Sequence, residues 1–70
     1  MGLKLIKMLS GTHTNALGKK YDVEAKIYKD SEWNEYRIQF YKDGKHLVMA
    51  DSHDDDKESA IDTAEFWINN

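Results

Sequence analysis

The sequence predicts an α+β fold, in which an antiparallel β-sheet of three to four strands is packed by one C-terminal α-helix in the order ββββα. Three observations predict it: two segments in which apolar and polar residues alternate, an Asp43-Gly44 dipeptide that follows them, and a last segment whose apolar residues recur at helical spacing. With 70 residues, the chain has room for a single domain, residues 1–70, with one small core.

The first element is predicted to be a strand over residues 3–9, because this segment is short and apolar and ends at Ser10-Gly11. Residues 10–20 contain two glycines and an asparagine but no periodic apolar stripe. Such a composition tolerates positive φ angles and predicts a mobile loop.

The second and third strands are predicted from alternation. Apolar residues occupy every second position of residues 21–28 and again of residues 36–41, which is typical of strands with one buried face. Residues 29–32 form the turn between them. The positions predicted to be buried are Tyr21, Val23, Ala25, Ile27, Tyr36, Ile38 and Phe40.

A hairpin and a helix complete the predicted fold. Asp43-Gly44 favours a type I′ turn, in which both central residues have positive φ, and residues 47–50 are expected to form the fourth strand. Residues 52–56 break this strand, and Asp55 followed by Glu58 matches a capping box at the start of a helix. The helix is expected to bury Ala60, Ile61, Ala64, Trp67 and Ile68.

Charge is divided unevenly along the chain. Residues 51–70 hold seven Asp/Glu against one Lys, whereas residues 1–50 hold nine Lys/Arg against six Asp/Glu. Such a split is typical of a surface that meets a partner electrostatically. Two interpretations stay open for the acids, which either cap the helix and complement its dipole or form a patch that imitates nucleic-acid phosphates. The seven acidic residues of this candidate patch are Asp51, Asp54, Asp55, Asp56, Glu58, Asp62 and Glu65.

Composition also argues against several classes of protein. The absence of cysteine excludes disulfides and thiolate metal sites and favours a cytoplasmic location, and no apolar run is long enough for a signal peptide or a membrane span. The serines lie in no nucleophile motif, so we expect a binding protein, not an enzyme. No metal or cofactor is expected, because no ligand spacing joins the three histidines, His13, His46 and His53.

Aromatic residues mark the second candidate surface. Tyr28 and Tyr41, with Trp33 as a further candidate, are predicted on the sheet face opposite the core, beside Lys26, Arg37 and Gln39. Tyrosine and arginine are common anchors of interfaces, although cross-strand pairs that only shield an open face use the same residues. Such a face could stack on nucleotide bases or pack into a protein groove.

A family resemblance is carried by residues 4–10, Lys-Leu-Ile-Lys-Met-Leu-Ser, with His13 three residues on. This opening resembles that of the small phage-encoded anti-CRISPR proteins that inhibit the type I-F surveillance complex. Further matches follow in the same order at Tyr28, Arg37-Ile38, Asp43-Gly44-Lys45 and Asp51. The likeness covers roughly residues 4–51, with a longer first loop here, and the C-terminal helix matches only in kind.

The resemblance implies an inhibitor in the cytoplasm of an infected bacterial host. Such a protein packs its sheet face against the Cas7-type backbone subunits and blocks pairing of guide RNA with target DNA, with Tyr28 as a principal contact. Two positions depart from the family, since Met8 stands for a tyrosine and Gln39 for a glutamate. The predicted partner-binding residues are Met8, Tyr28, Arg37, Gln39 and Tyr41.

Two other interpretations remain open at this point. A three-stranded sheet followed by one helix, with a strand-turn-strand such as residues 36–45, is similar to the arm-binding domains of phage integrases, which lay the sheet in the major groove. A net charge of −3 without clustered bases lacks the usual footprint of such binding. The third interpretation is an accessory subunit that adds its exposed edge or its helix to an oligomer.

Overall fold

The protein folds as one antiparallel sheet covered by one helix, which confirms the predicted α+β class. The computed structural model describes residues 2–69. The sheet order is β1-β2-β3-β4, and β5 pairs with β3 beside β4. The bounds are β1 Leu3–Thr14, β2 Lys20–Asp30, β3 Glu35–Lys42, β4 Lys45–His46, β5 Ser52–Asp54 and α1 Lys57–Asn69.

The core lies between the sheet and α1, as the two periodicities predicted. Alternate residues of β2 and β3 are buried beneath the helix, and the helix buries Ala60, Ala64 and Ile68 at spacings of four. The two alanines let the helix lie close to the strands. The buried apolar residues are Val23, Ala25, Ile27, Ile38, Phe40, Ala60, Ala64 and Ile68. Tyr21, Tyr36, Ile61 and Trp67 are half-buried around them.

The first strand is longer than predicted. The prediction of a mobile loop over residues 10–20 is wrong for its first half, because β1 continues to Thr14, which pairs with Lys20. Ile68 of the helix packs directly against Gly11, which is possible because glycine has no side chain. A Cβ at this position would lie 2.9 Å from Ile68 Cγ2. His13 Nε2 donates a hydrogen bond of 2.7 Å to the Ile68 carbonyl. Contacts with the last turn of α1 therefore hold this segment as a strand.

A bulge interrupts β1 near its start. Leu5 pairs with Tyr28 and Lys7 with Ile27, so the register shifts between Leu5 and Lys7. Ile6, in the bulge, packs against the core. The extra residue turns the side chain of Met8 to the same face as that of Leu5.

The hairpin turn is confirmed, whereas the fourth strand is not where it was predicted. Asp43 and Gly44 have φ angles of 50° and 81°, as a type I′ turn requires. Residues 48–50 form a 3₁₀ turn in place of a strand, in which the Ala50 N–H donates to the Leu47 carbonyl at 2.9 Å. Leu47 and Ala50 both pack on the core, and their spacing of three matches one 3₁₀ turn.

The predicted break in the strand over residues 52–56 is wrong for its first part, because Ser52–Asp54 form β5 and pair with Tyr36–Ile38 of β3. The predicted capping box of Asp55 and Glu58 is also wrong, because the helix is capped by a different residue. Asp56 caps the helix, since its Oδ2 accepts the Ser59 N–H at 3.0 Å. Asp54 displaces the cap by one residue, because its carboxylate accepts the Asp56 N–H and turns the chain there.

Candidate binding surface

The sheet face opposite α1, called the open face below, brings together the five residues predicted to bind a partner. Antiparallel pairing places them in three neighbouring rows that cross the strands. The first row is Leu5, Tyr28, Arg37 and His53; the second is Met8, Lys26 and Gln39; the third is Ser10, Glu24, Tyr41 and His46.

The β1 side of the open face is apolar and exposed. Leu5 keeps 48% and Met8 54% of their surface accessible, and Leu3 is exposed beside them. The sequence did not single out Leu3 and Leu5, because residues 3–9 are largely apolar at odd and even positions alike and give no sign of which face is buried. The structure adds both residues to the candidate surface.

Tyr28 lies on β2 next to the apolar β1 side of the open face, directly opposite Leu5. Its side chain is half-buried, and within residues 2–69 it takes part in no hydrogen bond, ion pair or ring contact. The phenol therefore offers both a ring face and a hydroxyl to a partner.

Tyr41 is held in place by its neighbours. Its hydroxyl donates to Gln39 Oε1 at 2.9 Å, its ring stacks on His46 with centroids 5.1 Å apart, and Lys26 Nζ lies 4.8 Å from its centre. His46 Nε2 in turn lies 2.7 Å from Asp51 Oδ1. Asp51 thus supports the third row of the open face.

Arg37 is already engaged with carboxylates. Its Nε donates to Asp30 Oδ2 at 3.0 Å, and a terminal nitrogen lies 3.2 Å from Glu35 Oε1. Asp30 is buried and also accepts the N–H groups of Glu32 and Trp33. Arg37 therefore contributes a half-exposed, largely neutralised guanidinium to the surface and fixes the turn after β2.

Trp33 lies in that turn, residues 31–34, at one end of the open face, where it lines a concavity together with Leu3, Asp30 and Arg37. Its side chain is 70% exposed. Trp33 lies in a turn because the Asp30 carboxylate accepts the N–H groups of Glu32 and Trp33, which ends β2 at Asp30.

The Asp30 carboxyl has a shifted pKa. Burial acts to raise this pKa, but the Trp33 N–H, the Arg37 guanidinium and the Glu32 N–H lower it by more, and the pKa lies below its ordinary value of 3.8. A carboxylate of this kind stabilises the fold above its unfolded pKa. That contribution is lost as the pH falls through the folded pKa.

Asp30→Asn should therefore lower the melting temperature at neutral pH, and the difference from the wild type should shrink as the pH falls below 3.8. Thermal unfolding followed by circular dichroism across this range measures both curves. Asp43→Asn is the matched control, because Asp43 is exposed and accepts a single backbone N–H. A difference that stays constant with pH would contradict this role of Asp30.

The predicted acidic patch is divided between two sides of the molecule. Asp51 belongs to the open face, and Asp54 and Asp56 are used in the start of α1. The remaining four acids are exposed and form no ion pair among the described residues: Asp55, Glu58, Asp62 and Glu65. The last three share the outer face of α1, since they are spaced at i, i+4 and i+7.

Within residues 2–69, no three histidine or carboxylate side chains lie close enough together to hold a metal ion. No helix in this part of the chain has the length and apolar character needed to cross a membrane.

No protein-family model matches the sequence, and no curated protein or solved structure matches the chain.

Proposed function

We propose that the protein is a non-enzymatic inhibitor that binds a partner protein with the open face of its sheet. The observation that carries this proposal is the group of Leu5, Met8 and Tyr28, in which two exposed apolar side chains lie beside a tyrosine whose hydroxyl makes no hydrogen bond among the described residues. Aromatic residues and methionine are enriched in the centres of protein interfaces.

The partner that the resemblance suggests is a Cas7-type backbone subunit of a type I CRISPR-Cas surveillance complex. Binding there would block recognition of target DNA. The departures at Met8 and Gln39 leave the CRISPR type open, because both residues lie in the second row of the open face, at its centre.

The charges of the open face favour a protein partner over DNA. Arg37 is bound by two carboxylates, Lys26 lies over the Tyr41 ring, and Glu24 adds a negative charge to the third row. A sheet that enters the major groove must neutralise phosphates with available lysines and arginines. The open face offers few, which places the integrase-like interpretation second.

Tyr28→Ala should weaken binding to a purified type I surveillance complex by about thirtyfold or more, as expected for a tyrosine anchor in an interface. The melting temperature should change little, because the Tyr28 side chain is only half-buried and makes no hydrogen bond in the described part of the chain. Surface plasmon resonance measures the affinity, and circular dichroism measures the melting temperature.

Phe66→Ala is the matched control, since it removes an exposed aromatic side chain from α1, on the other side of the sheet. A Tyr28→Ala protein that fails to fold, or one that binds as tightly as the wild type, would refute the role of Tyr28. If Asp62→Lys with Glu65→Lys abolishes binding while Tyr28→Ala does not, the acidic face of α1 is the interface. A salt-sensitive gel shift of duplex DNA, with no binding to the complex, would favour the integrase-like function.

A further inference from the structure

Among residues 2–69, no strand pairs with the outer edge of β1. The sheet order places β1 at one end, where it pairs with β2 alone, whereas the free edge of β3 is covered at its two ends by β4 and β5. β1 spans 12 residues, so it presents a long row of backbone N–H and C=O groups beside the sheet. Such an edge is a template for a further strand.

The side chains along this edge differ between the two faces of the sheet. On the open face, the edge is lined by the exposed apolar residues Leu3, Leu5 and Met8. On the helix side, register places Lys4 opposite Lys29 and Lys7 opposite Ile27, and both edge lysines are exposed. Residues 3–14 contain no aspartate or glutamate.

We propose that residues 3–9 of β1 accept an extended segment of the partner protein as an additional strand, and that this segment alternates apolar with acidic residues. Its apolar side chains lie beside Leu3, Leu5 and Met8, and its carboxylates lie beside Lys4 and Lys7. This inference rests on the proposed function, because the added strand belongs to the partner that the open face binds.

The side chains decide which kind of strand fits. Cross-strand neighbours on one face stabilise a pair when they are both apolar or oppositely charged, and like charges opposite each other destabilise it. Strand addition takes its affinity from the main chain and its specificity from alternate side chains. Apolar residues on one face and lysines on the other therefore select a strand of the complementary pattern.

A second copy of the protein does not fit this edge. A paired β1 would supply no carboxylate to Lys4 and Lys7, and any register that brings the lysines of the two copies together is repulsive. Lysines on an edge strand are a common means by which proteins prevent pairing with their own copies. The same two charges attract an acidic strand.

The test uses a short synthetic peptide in which valine and glutamate alternate, added to the isotopically labelled protein. We expect shifts and slowed hydrogen exchange of the β1 amides in NMR spectra, and a peptide that alternates valine with lysine should bind at least about tenfold more weakly. Lys4→Glu with Lys7→Glu should reverse this preference. Lys19→Glu with Lys45→Glu changes the net charge equally away from the edge and should leave the preference unchanged.

Three outcomes would overturn the proposal: β1 amides that respond to neither peptide, a preference that Lys4→Glu with Lys7→Glu does not change, or protection of β1 by dimerisation without peptide. Tyr28→Ala should leave peptide binding unchanged, because the peptide lies along β1. If the Tyr28→Ala protein no longer binds the surveillance complex but still binds the peptide, the open-face contact and the strand addition are separate interactions.

Discussion

Phe40→Ala is expected to leave much of the protein unfolded at room temperature. Phe40 is 2% exposed, and its ring lies 4.5 Å from that of Trp67 across the interface between sheet and helix. Truncating a buried phenylalanine destabilises proteins by about 3–5 kcal/mol. A domain of this size has a total stability of roughly the same amount, so one substitution removes most of it.

Far-ultraviolet circular dichroism and urea unfolding measure this loss. Met49→Ala is the matched control, because Met49 is 99% exposed and its truncation should change the free energy of unfolding by less than about 0.5 kcal/mol. A cooperative Phe40→Ala protein that loses less than about 1 kcal/mol would show that the core can close around the missing ring.

Gly11→Val is expected to have the second largest effect, with a loss of about 1–3 kcal/mol from overpacking. A Cβ at this position would lie 2.9 Å from Ile68 Cγ2 and 3.5 Å from the Ile68 carbonyl oxygen. Relief of the clash requires α1 to move away from β1, which also lengthens the hydrogen bond from His13 to Ile68.

Ser10→Val provides the comparison, since Ser10 is exposed on the neighbouring position of β1 and faces the open side. The same valine side chain there should leave the midpoint of urea unfolding nearly unchanged. Equal midpoints for Gly11→Val and the wild type would mean that the last turn of α1 does not rest on β1.

The regular parts of the fold could be predicted from the sequence because each has a local signal. Alternation over residues 21–28 and 36–41 indicates a sheet with one buried face, and the Asp43-Gly44 dipeptide indicates a turn with positive φ at both residues. Residues 10–14 and 47–50 lack such signals. In residues 10–14, a glycine and a histidine occupy the half-buried positions that face the helix. In residues 47–50, a single 3₁₀ turn directs Leu47 and Ala50 to the core. Tertiary contacts therefore decide the structure of both segments.

The candidate surface could be predicted in part for the same reason. Period-two alternation was enough to place Tyr28, Gln39 and Tyr41 on one face. The contribution of Leu5 depends on the bulge in β1, and the engagement of Arg37 depends on the burial of Asp30. Both are properties of register and packing, which no short stretch of sequence contains.

The contact between His13 and Ile68 has a consequence for folding. It joins residues that are 55 positions apart, so it closes a loop that includes nearly the whole sheet and helix. Closure of a long loop is entropically unfavourable until the local hairpins have formed. The β2–β3 hairpin is therefore expected to form early, and β1 and the end of α1 are expected to meet late, as the step that completes the native state.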